Sequence, residues 1–191
     1  MENKCFSTLT ALRYCQGAPV TPGIKRSVYV IVVSNIVGFP KLPVDTLNRP
    51  TSVIYSDNFV LAEGAKWLPF DHLPDKAEFK SETQGEEPSK TFKVTVTILH
   101  PGIGEEAAAA TAALNNTRVI ALVEDMDGRF RVVGCEKYNG AKVSSQRDNG
   151  QGATGSAGTT ITFEAVDIVD CPFYTGEIVT DDGIINEQEK P

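Results

Sequence analysis

The stretch from Phe92 to Tyr174 constrains the fold more than any other part of this chain. Phe92, Val94, Val96 and Ile98 fall on one side of an extended segment, and Lys93, Thr95 and Thr97 on the other. A period of two marks a strand with one buried face. Pro101-Gly102 ends it, and Glu105 to Leu114 is helical by propensity. Val119 to Glu124 and Arg129 to Gly134 read as two further strands joined at Asp127-Gly128, a favoured hairpin dipeptide. Thr159 to Val166 alternates again, with Ile161, Phe163 and Ala165 on one face and Thr160, Thr162 and Glu164 on the other. A chain ordered in this way is mainly β (α+β), with one α-helix.

The helix carries a stripe of Ile103, Ala107, Ala110 and Leu114. Small side chains of this kind predict close seating against a sheet. Glu105 and Glu106 lie where the helix dipole favours negative charge, and Asn115-Asn116 is a plausible stop, since Asn tolerates the left-handed conformation.

Upstream, Ser27 to Val33 is apolar on both faces, which predicts a strand covered on both sides or at an interface. Ser7 to Cys15 reads as a short helix within an otherwise irregular arm, and Phe39 to Pro50 as an extended connection. Ser52 to Tyr55 and Asn58 to Leu61 read as a hairpin around Ser56-Asp57, and Phe79 to Glu82 as another strand. Lys137 to Gly158 is polar and glycine-rich, and reads as a long mobile loop. The expected division is an irregular arm over 1–24, one β domain over 25–179 and an acidic, frayed tail over 180–191.

Chemical signatures are sparse. Asp125-Met126-Asp127-Gly128 opens like a calcium loop, but position 134 is Gly134 where a bidentate glutamate is needed, so a hairpin turn is the better reading. Gly150 to Gly158 lacks the Gly-Lys-Ser/Thr of a phosphate loop and runs into a strand. His72 and His100 have no partner at metal-ligand spacing, and His72 reads as a solvated loop residue. A Cys5–Cys15 disulfide is compatible with the count; the other reading is four free thiols, at least two of them packed as small hydrophobes. Trp67 reads as a core or subunit-contact anchor. No catalytic residue, metal or cofactor is expected. The N-terminus predicts no cleaved secretion signal, and no segment reaches the length of a membrane helix. The net charge of −7 argues against gripping nucleic acid.

The order of elements resembles phage tail-tube proteins, most of all tube and ring proteins of phages and prophages of the Bacteroidetes. Four stretches carry the resemblance: Pro22 to Val30, Gly64 to Pro69, Ala121 to Gly134 and Gly158 to Ala165. Together they span most of residues 22–176. The resemblance implies a β-sandwich or small barrel with one flanking α-helix, and a virion structural subunit of the tail or neck, assembled in the bacterial host cytoplasm. Its partners are then itself, in rings that are hexameric or larger, and neighbouring virion proteins. Inner strands join across subunits around a channel through which DNA passes without specific binding, past an acidic wall. Candidate contacts between subunits are Trp67, Tyr138, Asp148, Gly150, Gln151, Gly152, Thr154 and Gly155. The first 50 residues exceed what a minimal tube subunit needs, which leaves room for a head–tail connector ring or tail terminator. A tube subunit of a contractile injection or secretion apparatus uses the same assembly physics. A monomeric β-sandwich module binding sugars or proteins is the alternative from a different class.

Overall fold

The computed structural model describes residues 11–46, 50–152 and 155–186. The chain is mainly β, with a curled half-barrel sheet and, among the described residues, a single α-helix. The strands are β1 (Ile24–Val32), β2 (Ile36–Gly38), β3 (Ile54–Tyr55), β4 (Val60–Leu61), β5 (Leu68–Asp71), β6 (Glu78–Gln84) and β7 (Thr91–His100). After α1 (Glu105–Leu114) come β8 (Arg118–Asp125), β9 (Phe130–Val133), β10 (Ala141–Asp148), β11 (Gly158–Asp167), β12 (Phe173–Tyr174), β13 (Ile178–Thr180) and β14 (Gly183–Ile185). No helix among the described residues is long and apolar enough to cross a membrane.

The large sheet runs β3-β12-β9-β8-β10-β11-β7-β6, with β1 also on β8 and β5 on β1. The strands β9 and β10 are two halves of one course along the same edge of β8: Ala121 to Glu124 take β9, and Arg118 and Val119 take β10. The excursion between them, 134–140, closes with Gly140 N donating to Cys135 O at 2.8 Å. Gly140 has φ +69°, and a Cβ there would sit 2.6 Å from Val119 O. Only glycine permits that return against β8.

Alternation places the core on both sides of the middle strands. Val28 and Val30 of β1 and Val119, Ala121 and Val123 of β8 line the concave side, with Val94, Val96, Ile98, Ile161 and Phe163. Ile31, Ile120 and Leu122 point to the convex side, where Phe59, Trp67, Tyr174 and Ile178 cover them. The continuous apolar run in β1 is therefore covered on both faces. The aromatic cover is tightly built. Phe59 meets Trp67 edge-on at 5.4 Å between centroids and Tyr174 at 5.3 Å.

One corner of the curl is tied by the chain after β5. His72 N donates to Arg26 O and Leu73 N to Leu99 O, each at 3.0 Å, linking the ends of β1 and β7. The helix covers the concave core with Leu114, and Asn116, at φ +58°, ends it in the left-handed region. Its small stripe does not sit flush, however. A cleft of about 270 Å³ remains between Ala107 and Ala110 on the helix and Phe70 and Ile161 on the sheet.

Several local readings change. Ser52 to Leu61 is no hairpin: β3 pairs in parallel with β12, and β4 pairs with β2. Two-residue strands have too few mutual bonds to hold each other, and longer-range partners win. Lys137 to Gly158 is not one loop, because β10 pairs with β11 from Lys142 opposite Glu164 to Asp148 opposite Gly158. Thr180 does not begin a frayed tail. It is buried, its hydroxyl donates to Gly183 O at 2.8 Å, and β13 pairs with β14. His72 is not solvated, at 2% exposure. Residues 11–15 form no helix. The remainder of the Ser7–Cys15 helix, the Cys5 end of a Cys5–Cys15 disulfide and the tail over 187–191 lie outside the described residues. Cys15 is exposed and free, whereas Cys135 and Cys171 are buried.

Candidate assembly interface

Beyond the end of β8, the strands β10, β11, β7 and β6 form a four-stranded antiparallel sheet of their own. Its rows fix which residues share a face. Val143, Phe163, Val96 and Phe79 form one row across the four strands and point into the concave core. The next row, Ser144, Thr162, Thr97 and Glu78, points outward. The outward face is hydroxyl-rich. Thr97 and Thr162 oxygens lie 3.3 Å apart, and Lys93 Nζ is 3.0 Å from Glu164 Oε2.

Both margins of this small sheet are open. β6 lies at the end of the strand order and pairs only with β7. β10 pairs with β8 only through Ala141 and Lys142, which leaves Val143 to Asp148 with β11 alone. No other backbone hydrogen bond among the described residues reaches either margin. An unpaired strand margin is a template for another chain. Proteins that remain monomeric blunt such margins with inward charges, prolines or bulges. Neither run, Glu78–Gln84 nor Val143–Asp148, contains proline, and the one charge that alternation sets on the inward face, Arg147 of β10, is exposed.

The charges on the outward face nearly cancel. Lys80, Lys93 and Lys142 stand against Glu78, Glu82 and Glu164, with Asp148 at the margin. The acidity of the chain is therefore not concentrated on this face.

The sequence-based candidates fall in three places. Trp67 is 1% exposed in the convex core, with its amide on Val179 O at 2.9 Å, so it has no surface to offer a neighbour. Tyr138 sits in the 134–140 excursion, at the opposite end of β10 from the hairpin tip. Asp148, Gly150, Gln151, Gly152 and Gly155 come together at that tip. Asp148 Oδ1 accepts Gly150 N at 2.8 Å, and Gly155 N reaches Gly152 O at 3.4 Å. Thr154 lies outside the described residues. The two open margins were missed. Val143 is the one apolar residue in Lys142 to Asp148, so only a weak alternation marks that strand.

The chemical candidates are occupied by structural work. Asp125-Met126-Asp127-Gly128 is a hairpin turn, closed by Gly128 N on Asp125 O at 2.9 Å, and both carboxylates pair with arginines, Asp125 with Arg131 at 2.7 Å and Asp127 with Arg129. Arg131 also lies 4.3 Å from the Phe173 ring centroid, a cation–π contact. His100 Nδ1 is 2.8 Å from Asp71 O. No group of three or more metal-ligating side chains gathers among the described residues. Compared with known proteins, the chain matches no family model, no curated protein and no solved structure.

Proposed function

We propose that this protein is a self-assembling structural subunit that forms rings, of the kind that builds phage tail tubes, head–tail connectors or the tubes of contractile injection apparatus. The observation that carries the reading is the pair of open margins on one four-stranded antiparallel sheet. Four is an even number, so β10 and β6 run in opposite directions. A copy rotated about an axis along the strands keeps those directions. Its β10 then meets β6 of the first copy antiparallel, and every junction in the ring repeats the pairing already used inside the subunit. Closing the sheet in this way removes both open edges.

Side chains favour the same junction. Lys142 already faces Arg118 of β8, so face matching requires Ser144, Gln146 and Asp148 to meet the outward residues of β6. The register that sets Asp148 opposite Lys80 also sets Gln146 opposite Glu82, and opposite charges directly across strands stabilise by roughly 0.2–1 kcal/mol. The hydroxyl-rich outward face then lines the channel. Threonine and paired lysine–glutamate groups leave few free cations for phosphate, so DNA in such a channel passes without being held. The hairpin tip, with Gly150, Gln151, Gly152 and Gly155, lies beyond the last paired residues of β10 and β11, where a stacked ring would lie. In this role the protein belongs to a virion tail or neck and assembles in the host cytoplasm.

Cross-linking tests the junction. In a background with Cys5 and Cys15 changed to Ser, Gln146→Cys and Glu82→Cys are combined and treated with a short bismaleimide that tolerates a two-residue slip. The reading expects a ladder of covalent oligomers from the double variant and none from either single variant. Dimers alone, formed equally by the Glu82→Cys single variant, indicate two-fold pairing of β6 with itself and contradict ring closure. Monomers alone contradict it as well.

A further inference from the structure

The arm ahead of β1 and a cleft at the far end of β9 each lack a partner, and their chemistry matches. Residues 11–22 are exposed throughout, and Leu12, Tyr14 and Val20 retain 102%, 77% and 82% relative exposure. Single exposed apolar residues are ordinary, but three on one short segment mark an interaction element. The arm joins the body at the Asp125–Gly128 turn, where Met126 N donates to Gly23 O at 3.4 Å.

The cleft lies at the other end of the β8–β9 hairpin, beside Gly134, Cys135 and Lys137, and measures about 310 Å³. Its walls are apolar, with Phe39, Leu42, Pro50, Phe59 and Val132 among them. In it sits Asp167, 4% exposed. One carboxylate oxygen accepts the amides of Ile168 and Val169, at 2.6 and 3.3 Å. No basic side chain among the described residues pairs with Asp167 at ion-pair distance; Lys41, Glu136 and Lys137 are exposed around the cleft. Burial pushes the Asp167 carboxyl above its usual range, and it pushes the Cys135 thiol beside it up to about 11. A carboxylate so placed gains from any hydrogen-bond donor that arrives without water.

We propose that this cleft receives the arm of a second copy, with Leu12 and Tyr14 seated between its apolar walls and the Tyr14 hydroxyl donating to Asp167. Residues two apart share one side of an extended segment, so Leu12 and Tyr14 enter together and Arg13 faces outward, near Glu136. Extended peptides are commonly read in this way, through pockets for alternate side chains. The contact is heterologous: an arm leaves one end of the hairpin, and the cleft opens at the other. A heterologous contact passes from copy to copy, and with the ring closed through β6 and β10 it serves to link one ring to the next. This inference rests on the reading of the protein as an assembling subunit and adds the element that links one ring to the next.

The test uses the full chain and a fluorescent peptide of the sequence Ala11–Thr21, with Cys15 replaced by Ser. Saturable binding is expected, with amide NMR shifts at Ile168, Val169 and Lys137. A Tyr14→Ala peptide should bind at least ~10-fold more weakly, as loss of a buried aromatic anchor does. Tyr14→Phe should lose more affinity for the wild-type protein than for Asp167→Asn, whose uncharged amide is a weaker partner, and the difference reads the hydroxyl–carboxylate contact. No saturation by about 1 mM, the weak end of specific binding, overturns the inference. Equal binding of the Tyr14→Ala peptide, or shifts confined to β6 and β10, overturns it too. The cross-link between Gln146→Cys and Glu82→Cys involves neither arm nor cleft, so ring closure and arm docking can fail separately.

Discussion

Val143 stands opposite Phe163 across the β10–β11 ladder, half-buried beside a ring that is fully buried. This pair anchors a strand that is otherwise polar, and the ladder continues to Asp148 opposite Gly158. The connection over 149–157 is therefore not needed to hold the hairpin. Replacing it with Asn-Gly should leave the thermal midpoint within a few degrees, because loop length changes closure entropy by only about 0.6 kcal/mol per doubling. Extending the deletion through Gly158 should cost more. Gly158 is buried in β11, and a side chain shifted into its place would begin 2.8 Å from Leu99. Differential scanning calorimetry on the two variants checks this. Negative-stain microscopy of the Asn-Gly variant should show intact rings that stack less well.

The helix makes a second prediction. Ala110 borders the cleft of about 270 Å³ that Phe70 and Ile161 line from the sheet side. Leucine at that position has room to enter, so Ala110→Leu should stabilise by about 0.5–2 kcal/mol, as cavity-filling changes commonly do. A loss of about 1–3 kcal/mol in urea unfolding, the usual penalty of overpacking, would show instead that the helix lies flush on the sheet.

His72 gives the fold a pH dependence. Both ring nitrogens are buried without a hydrogen-bond partner, and burial lowers the pKa below the free value of 6.5, opposed by the backbone of Leu73 and Lys25 and by the charge of Asp71. On acidification the unfolded chain takes up a proton at its imidazole before the folded one does. More protons are then bound unfolded than folded, so stability falls as pH drops from 6.5 towards the folded pKa, and it is fully present above 6.5. Urea midpoints should therefore drop between about pH 7.5 and about pH 5.5, and the drop should be smaller in His72→Leu. Equal slopes for the two proteins would remove His72 as the cause.

The residues that spelled out their own environment were legible in the sequence. β7, β8, β9 and β11 announce themselves because Val94, Val96, Val119, Val123, Val132 and Phe163 alternate or run together, and one or both faces are buried. The helix ends where Asn116 can adopt a left-handed turn. Edge strands were not legible in the same way. β10 buries only Ala141 fully, and its pairing is specified by β11, which follows it in the chain. β3 and β4 are too short to carry a pattern, and their partners, β12 and β2, are set by tertiary contacts. Trp67 illustrates the limit for a site: its type fits a core anchor and a contact anchor equally, and only the packing of Phe59 around it decides. The two open margins that carry the functional proposal are properties of topology, which no short window of residues contains.

The central claim is that β6 and β10 are completed by each other on neighbouring copies. Amide hydrogen exchange of the full chain across a concentration series reads both margins at once. The account predicts that protection over Glu78–Gln84 and over Val143–Asp148 rises together with oligomer mass, while β1 and β8 stay protected throughout. Margins that continue to exchange rapidly in the assembled state, or protection gained by β6 alone, would contradict it.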